Sequence, residues 1–366
     1  MTGRIVLFGA TGYTGELTAR AMVARGLSPT LVARNQARVD GLAAHLGGLQ
    51  TAVADATPAG TERLLELLSP GDALVSTVGP FARHGQAALD AAITSGATYI
   101  DSTGEHSFLR RVFGPESDRA REAGVALLPA FGYDYVPGTL AAALALDDAG
   151  ADAVAVDIGY FLRSAHKPSG GTSASGARMM FEPAFGLRDG AVIGHRVASA
   201  GKDFDVDGRR RQAVLFGGSE PFTLPRSYAR LRDLTVYLGW MPLPPPPVQA
   251  ASWAAYNAAK LPPLRAAMDA VASRVVKGSS GGPDEAARAR ARAWVVARAY
   301  AEGGAELATV TVEGPDPYGL TADLLAWAAA EAAAGRIPGS GALGPLDAFG
   351  REGLEQGCLE LGLARR

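Results

Sequence analysis

Near the start of the chain, Gly9-Ala10-Thr11-Gly12-Tyr13-Thr14-Gly15 spaces three glycines as a backbone must to approach a pyrophosphate. The first permits a tight turn, the second close approach to the phosphates, and the third tight packing of the following helix. The run Ile5-Val6-Leu7-Phe8 precedes the turn and an amphipathic stretch follows it, so the segment reads as strand, turn and helix. The helix amides then face an anion. This context predicts a dinucleotide site in which Thr11, Tyr13 and Thr14 accompany the glycines.

The second strand selects among dinucleotides. It runs Leu31-Val32-Ala33-Arg34-Asn35, with a cation where an acid would accept the ribose hydroxyls of NAD. A guanidinium matches a 2′-phosphate and a carboxylate repels it, so NADP(H) is expected. A solvated surface arginine is the plain alternative for Arg34, and Arg38 is a second phosphate candidate. Asp55, after the third strand, suits either the adenine edge or a helix entry. The fourth strand ends Ser76-Thr77-Val78-Gly79-Pro80-Phe81, where close backbone approach to a nicotinamide, or an ordinary turn, is expected.

Hydride transfer from such a cofactor asks the protein for orientation and a proton, not for a nucleophile. Tyr133 and Asp134, after the sixth strand, are the candidate donors. A packed aromatic and a helix cap before Pro137 are their structural alternatives. Glu105 and His106 end the fifth strand on the ligand side, where they touch substrate or cap the next helix. The glycine-rich stretch from Ser164 to Gly176 offers His166, Lys167 and Thr172 as a substrate lid or anion nest, or as a connector. Tyr256 and Lys260 have the Tyr-x-x-x-Lys spacing of short-chain dehydrogenases, but lie outside the dinucleotide segment. Trp253, Tyr256, Lys260 and Leu264 recur at helical spacing, which reads first as core and otherwise as an apolar tunnel or lipid-facing surface. Arg288, Arg290 and Arg292 alternate like a solvated strand face.

Composition removes several classes. The 35 basic and 37 acidic residues leave a net charge of −2, so no basic field marks a nucleic-acid partner. One cysteine, Cys358, excludes an internal disulfide, and the five histidines lack metal-site pairing, so no metal is expected. The first residues read as a strand rather than a leader. The uncharged stretch from Leu234 to Ala259 carries Pro242, Pro244, Pro245, Pro246 and Pro247, which no continuous membrane helix holds. A cytoplasmic setting is expected, with peripheral lipid contact and a homodimer both left open.

Around these residues, six short β-rich runs alternate with helical patterns at about 14–25, 36–46, 58–68, 86–95 and 107–123, the signature of a parallel sheet. The pattern then turns to alternating strands. Their clearest pair is the hairpin through Gly303-Gly304, flanked by alanine-rich helices near 249–276 and 317–334. The expected class is α/β: a Rossmann-type doubly wound parallel sheet over 1–128, a second α+β domain on a mostly antiparallel sheet over 129–338, and a loop and helix over 339–366 packing back on the first domain.

Taken together, GATGYTG, VAR, STVGPFARHGQAALDAAITSGATYIDSTGE, AFGYDYVPG, SGGTSASG, EGPDPYGLTA and GALGPLDAFG give the chain a family likeness. It resembles the saccharopine dehydrogenase-like oxidoreductases, in particular their bacterial trans-acting enoyl reductase branch. The resemblance implies a dinucleotide domain, an inserted α+β substrate domain and NADPH-dependent reduction. Expected targets are an activated C=C bond of a lipid, polyketide or other secondary metabolite, or a C=N bond. A non-catalytic NADP sensor or scaffold is the alternative from another class. The chain departs from the pattern at Phe131-Gly132-Tyr133-Asp134-Tyr135-Val136-Pro137-Gly138-Thr139, where many relatives have Cys-Gly-Phe-Asp-Ser-x-Pro-Ser-Asp.

Overall fold

The computed structural model describes residues 2–163, 169–179, 182–239, 245–275 and 281–366. They form two units. One comprises Met1–Asp134, Ser279–Gly282 and Pro317–Gly350, and the other Tyr135–Gly278, Pro283–Asp316 and Arg351–Arg366.

The first unit is built on β1 (Ile5–Phe8), β2 (Thr30–Ala33), β3 (Thr51–Val53), β4 (Ala73–Ser76), β5 (Thr98–Asp101) and β6 (Ala126–Leu128). With a two-residue strand, Gly341–Ala342, they make a seven-stranded parallel sheet ordered Gly341–Ala342, β6, β5, β4, β1, β2, β3. The order reverses between β1 and β4, opening a crevice at the carboxyl ends of those strands. This is the expected Rossmann-type sheet. Helices α1 (Tyr13–Ala24), α2 (Gln36–His45), α3 (Pro58–Leu67), the single turn α4 (Phe81–His84), α5 (Gln86–Ser95), α6 (His106–Arg111) and α7 (Ser117–Glu122) join the strands. The helix expected over 107–123 is interrupted at Gly114-Pro115, because proline removes a donor and Gly114 leaves helical geometry at φ −102°, ψ −115°.

Both faces of the sheet are covered, so β1 and β4 are buried at every residue. On one face Val6, Phe8, Val32, Leu74, Tyr99 and Leu127 pack with Leu64, Leu89, Ile93 and Phe108. On the other, the helix Pro317–Ala333 packs against α1 and touches β1, β4 and β5. Sequence reading assigns that helix to the second domain and Gly341–Ala342 to a loop. Its apolar residues Leu320, Leu324, Leu325 and Ala328 need a sheet face, which the first unit supplies. Ala342 N donates to Ser117 Oγ at 2.9 Å, and flanking backbone bonds fix Gly341–Ala342 beside β6.

The second unit comprises α8 (Val136–Ala149), β7 (Ala153–Arg163), α9 (Gly170–Met179), β8 (Pro183–Arg188), β9 (Ala191–Arg196), β10 (Gly201–Val206), β11 (Arg209–Leu215), α10 (Glu220–Ser227), β12 (Asp233–Leu238), α11 (Pro245–Ala258), α12 (Pro262–Val275), α13 (Glu285–Arg290), β13 (Arg292–Ala301) and β14 (Glu306–Gly314). Its sheet runs β10, β11, β12, β7, β13, β14 and a last strand Ala364–Arg365, with β8 and β9 branching from β12. Only β7 and β12 pair in parallel among these strands, so the sheet is mostly antiparallel as expected. Helix α8 is buried from Val136 to Leu146, a run in which Thr139 is the one polar side chain, and packs over β7, β13 and β14.

Three local expectations fail. Arg288 and Arg290 lie on α13, because Asp284 accepts from Ala287 N at 2.7 Å and starts a helix. The pattern over 249–276 breaks between α11 and α12 at Pro262-Pro263. Trp253 is 61% and Leu264 44% exposed, so that helical face is not core. No helix of the described residues is long and apolar enough to cross a membrane.

Two helical glycines predict opposite outcomes. A Cβ at Gly15 of α1 overlaps the Gly9 carbonyl, whereas one at Gly41 of α2 meets nothing within 4 Å. In urea unfolding, Gly15→Ala should destabilise by about 1–3 kcal/mol. Gly41→Ala should stabilise by about 0.5–1 kcal/mol through the entropy removed from the unfolded chain.

Candidate functional site

The glycine turn is built by the end of β1. Gly9 sits at φ +91°, and a Cβ there would come within 2.7 Å of Thr77 Oγ1 and 2.8 Å of Val78 Cγ2. Only glycine fits. Gly12 N donates to the Gly9 carbonyl at 2.9 Å, and Gly12 precedes α1 without any side-chain cap. The helix thus opens on backbone amides, the arrangement that receives an anion. Thr77 donates its Oγ1 to the carbonyls of Phe8 and Gly9, each at 3.2 Å, and its amide to Phe8 at 2.9 Å. It clasps the end of β4 to the turn. Thr14 contributes its carbonyl to Thr18 at 2.9 Å.

At the end of β2, Arg34 is exposed and makes no ion pair among the described residues. Asn35 caps α2 by accepting from Arg38 N at 2.9 Å. Arg38 reaches back to the turn, donating Nη2 to the Thr11 carbonyl at 3.1 Å. A cavity of about 330 Å³ between α1 and α2 is lined by Thr11, Glu16, Arg20 and Arg38, with His45 at its end. Glu16 pairs with Arg20 at 2.8 Å, so Arg38 is left as uncompensated positive charge on that wall. Arg34 does not line this cavity. Asp55 accepts from the Thr57 amide at 3.2 Å and from its hydroxyl, and so serves the entry to α3.

The end of β4 is organised by a carboxylate from β5's side. Gly79-Pro80 is a cis peptide, and Phe81 then begins α4. Glu105, only 2% exposed, accepts from Phe81 N at 2.7 Å and Ala82 N at 3.0 Å. Alongside its expected substrate contact, the side chain therefore has a structural role, because it satisfies amides at a helix start. Glu105 N in turn donates to Thr103 Oγ1 at 3.1 Å. His106 opens α6 and is fully buried. Phe81 packs on Phe108 at a centroid distance of 5.7 Å.

After β6 come Tyr133 and Asp134. A Cβ at Gly132 would lie 2.9 Å from Thr321 Cγ2, and Tyr133 N donates to Thr321 Oγ1 at 3.0 Å. This seats the segment on the helix Pro317–Ala333. Tyr133 is buried, and burial, then the Asp134 charge, holds its phenol well above the usual range. Asp134 is half-buried, and desolvation pushes its carboxyl up to about 6. Both side chains are therefore biased toward their neutral, proton-bearing forms. Beside them Phe131 contacts Phe349 and Trp327, at 5.3 and 6.0 Å.

The remaining residues lie elsewhere. Thr172 is exposed near the start of α9 in the second unit, where its amide donates to Ser169 Oγ at 3.2 Å. His166 and Lys167 lie outside the described residues. Tyr256 and Lys260 are also in the second unit, with the Lys260 ammonium 5.2 Å from the Tyr256 ring. Sequence reading missed one partner of the glycine turn. Tyr13 meets Tyr318 edge-on at 5.1 Å, and a Cβ at Gly282 would lie 2.5 Å from the Tyr13 ring. Tyr318 lies in the block EGPDPYGLTA and Gly282 in a glycine pair, and neither names Tyr13 as its target.

Glu105 offers a direct test, since one carboxylate serves two buried amides. Glu105→Gln presents one acceptor oxygen and turns an NH₂ toward the other amide. Denaturant unfolding should show a loss of about 1.5–3 kcal/mol, the range for charge-assisted bonds.

Comparison with known proteins places this geometry in a wider setting. No family model matches the chain. A trans-acting enoyl reductase of Mycobacterium ulcerans is 32% identical over 142 residues, covering 37% of this chain and 34% of that protein. A protein of Caenorhabditis elegans described as lipid droplet localized is 27% identical over 146 residues, 37% of this chain and 34% of its own length. The match thus spans about a third of these relatives. Among solved structures, apo saccharopine dehydrogenase (L-Glu forming) from Saccharomyces cerevisiae aligns over 100% of this chain and 99% of its own, with a TM-score of 0.61 and 14% identity. The chain therefore has the saccharopine dehydrogenase fold, and its sequence resembles the trans-acting enoyl reductases.

Proposed function

We propose that the protein is an NADPH-dependent oxidoreductase that reduces an activated C=C bond, enoyl or enone, of a lipid, polyketide or other secondary metabolite. The observation that carries this reading is the meeting of two features in the first unit. One is an uncapped helix N-terminus behind a glycine-only turn; the other is a cavity wall bearing the uncompensated charge of Arg38. That combination fits a dinucleotide with an extra phosphate. When bound, the cofactor supplies hydride.

The chain's residues supply the rest. The turn from Gly9 to Gly15 and the α1 amides hold the pyrophosphate, while Arg38, with Arg34 nearby in sequence, meets the 2′-phosphate. The Gly79–Phe81 segment, fixed by Glu105, forms the wall for the nicotinamide end. Asp134 or Tyr133 delivers the proton that must follow hydride addition. Reduction of a C=N bond is a second reading, supported by the saccharopine dehydrogenase fold running the full chain. A cytoplasmic setting and a small-molecule or acyl substrate complete the proposal.

Calorimetry tests the cofactor. Arg38→Asp and Arg34→Asp should each weaken NADPH binding more than NADH binding, with the larger effect at Arg38, because repulsion replaces attraction at the 2′-phosphate. Equal losses for both nucleotides would remove the specificity role.

The donor is tested by pH. Asp134 carries its proton below about 6 and loses it above, against 3.8 for an ordinary aspartate. If it donates, kcat falls as pH rises through about 6, and Asp134→Asn lowers kcat by about 10²–10⁴-fold and abolishes that limb. If Tyr133 donates, no limb appears there and Tyr133→Phe carries the loss. Enoyl thioesters, cyclic enones and imines, followed by NADPH absorbance, separate C=C from C=N reduction. A chain that binds NADPH but consumes it with none of them would favour a sensor or scaffold.

A further inference from the structure

Asp101, the last residue of β5, is fully buried. Its Oδ1 accepts from Thr103 N at 2.8 Å and from Ala130 N at 2.9 Å. Its own carbonyl accepts from Phe131 N at 2.7 Å. Two of these three bonds land on the segment that leads into Tyr133 and Asp134. That segment needs holding, because Ala130 sits at φ +55°, a left-handed conformation that an alanine adopts only when its surroundings impose it. The next tether along the chain is the Tyr133 amide on Thr321.

We infer that Asp101 is a positioning residue for the proposed acid: by gripping the Ala130 and Phe131 amides it sets the path of residues 130–134 and hence where Tyr133 and Asp134 stand. The inference rests on the reductase reading for its chemical meaning. Its mechanical content is independent of it. The grip occupies Oδ1 of this buried carboxylate, whose other neighbour is the Tyr99 side chain. Desolvation pushes Asp101 up to about 6, and the Ala130 and Thr103 amides pull the other way by favouring the charged form. An asparagine retains an acceptor oxygen for those amides; alanine and serine cannot span them.

The experiment uses the full chain as wild type, Asp101→Ala, Asp101→Ser and Asp101→Asn, with two readouts. Hydrogen exchange on peptides covering 128–134 should speed up by about 10–100-fold in the alanine and serine variants, since opening the segment no longer breaks the bonds to Oδ1. The asparagine variant should stay within a few fold of wild type. With an enoyl thioester, cyclic enone or imine as acceptor, the same two variants should lose about 10–100-fold in kcat, with NADPH affinity unchanged and KM little altered, and asparagine should rescue most of it. The serine variant serves if alanine does not fold. Wild-type exchange in the serine variant would overturn the grip, and faster exchange with wild-type kcat would overturn the positioning role. If the wild-type protein turns over no acceptor, the reductase reading fails by itself, and the exchange experiment still decides whether Asp101 holds the segment.

Discussion

A carboxylate taken out of water must find its hydrogen bonds inside the protein, and this requirement organises the carboxyl edge of the first sheet. Glu105 and Asp101 are both almost completely buried. Glu105 holds the amides that begin the turn after β4, and Asp101 holds an amide of the segment after β6. One strand end, that of β5, thereby dictates the backbone on either side of it. Thr77 extends the connection to β1 by clasping the glycine turn. From β1 to β6 the crevice edge is one hydrogen-bonded framework made mainly of backbone groups.

That framework explains which features could be read from the sequence and which could not. The strand–glycine turn–helix unit, the six parallel strands and the Gly303-Gly304 hairpin depend on local periodicity and on residues with special backbone freedom, so they were legible. The seventh strand was not, because Gly341–Ala342 has no strand pattern of its own and exists only through β6 and Ser117. The helix Pro317–Ala333 was legible as a helix but not as part of the first unit. Apolarity shows that a surface must be covered, not which one. Arg288 and Arg290 look like an alternating strand until Asp284 is recognised as a cap.

At the site, type and rough place were readable while partners were not. Arg38 lies four residues after Arg34, and only the fold of α2 against α1 turns it toward Thr11. Glu105 shows in sequence as an acid on the ligand side. Its grip on Phe81 and Ala82 crosses more than twenty residues and needs the register of β4 and β5 to be seen. Tyr13 and Gly282 are farther apart still.

The two ends of the proposed cofactor site differ in kind. At the phosphate end, Arg34 and Arg38 are exposed and act through charge, which water screens and a partner readily exchanges. At the chemical end, the groups are buried or half-buried, tied by amides, and shifted toward their protonated forms. Burial is the main cause of that bias, with the Asp134 charge adding to it at Tyr133: ionisation of both is disfavoured, and the Asp134 carboxyl keeps its proton up to about pH 6, where an ordinary aspartate has lost its own. While it holds its proton such a group can donate it, and donation is what must follow hydride addition to a double bond. A proton donor is useful only at a fixed position, and this gives the buried acids of β5 their proposed connection to chemistry. Asp101 through Oδ1 and Glu105 through both oxygens hold backbone amides, and so fix the course of the loops on either side of β5.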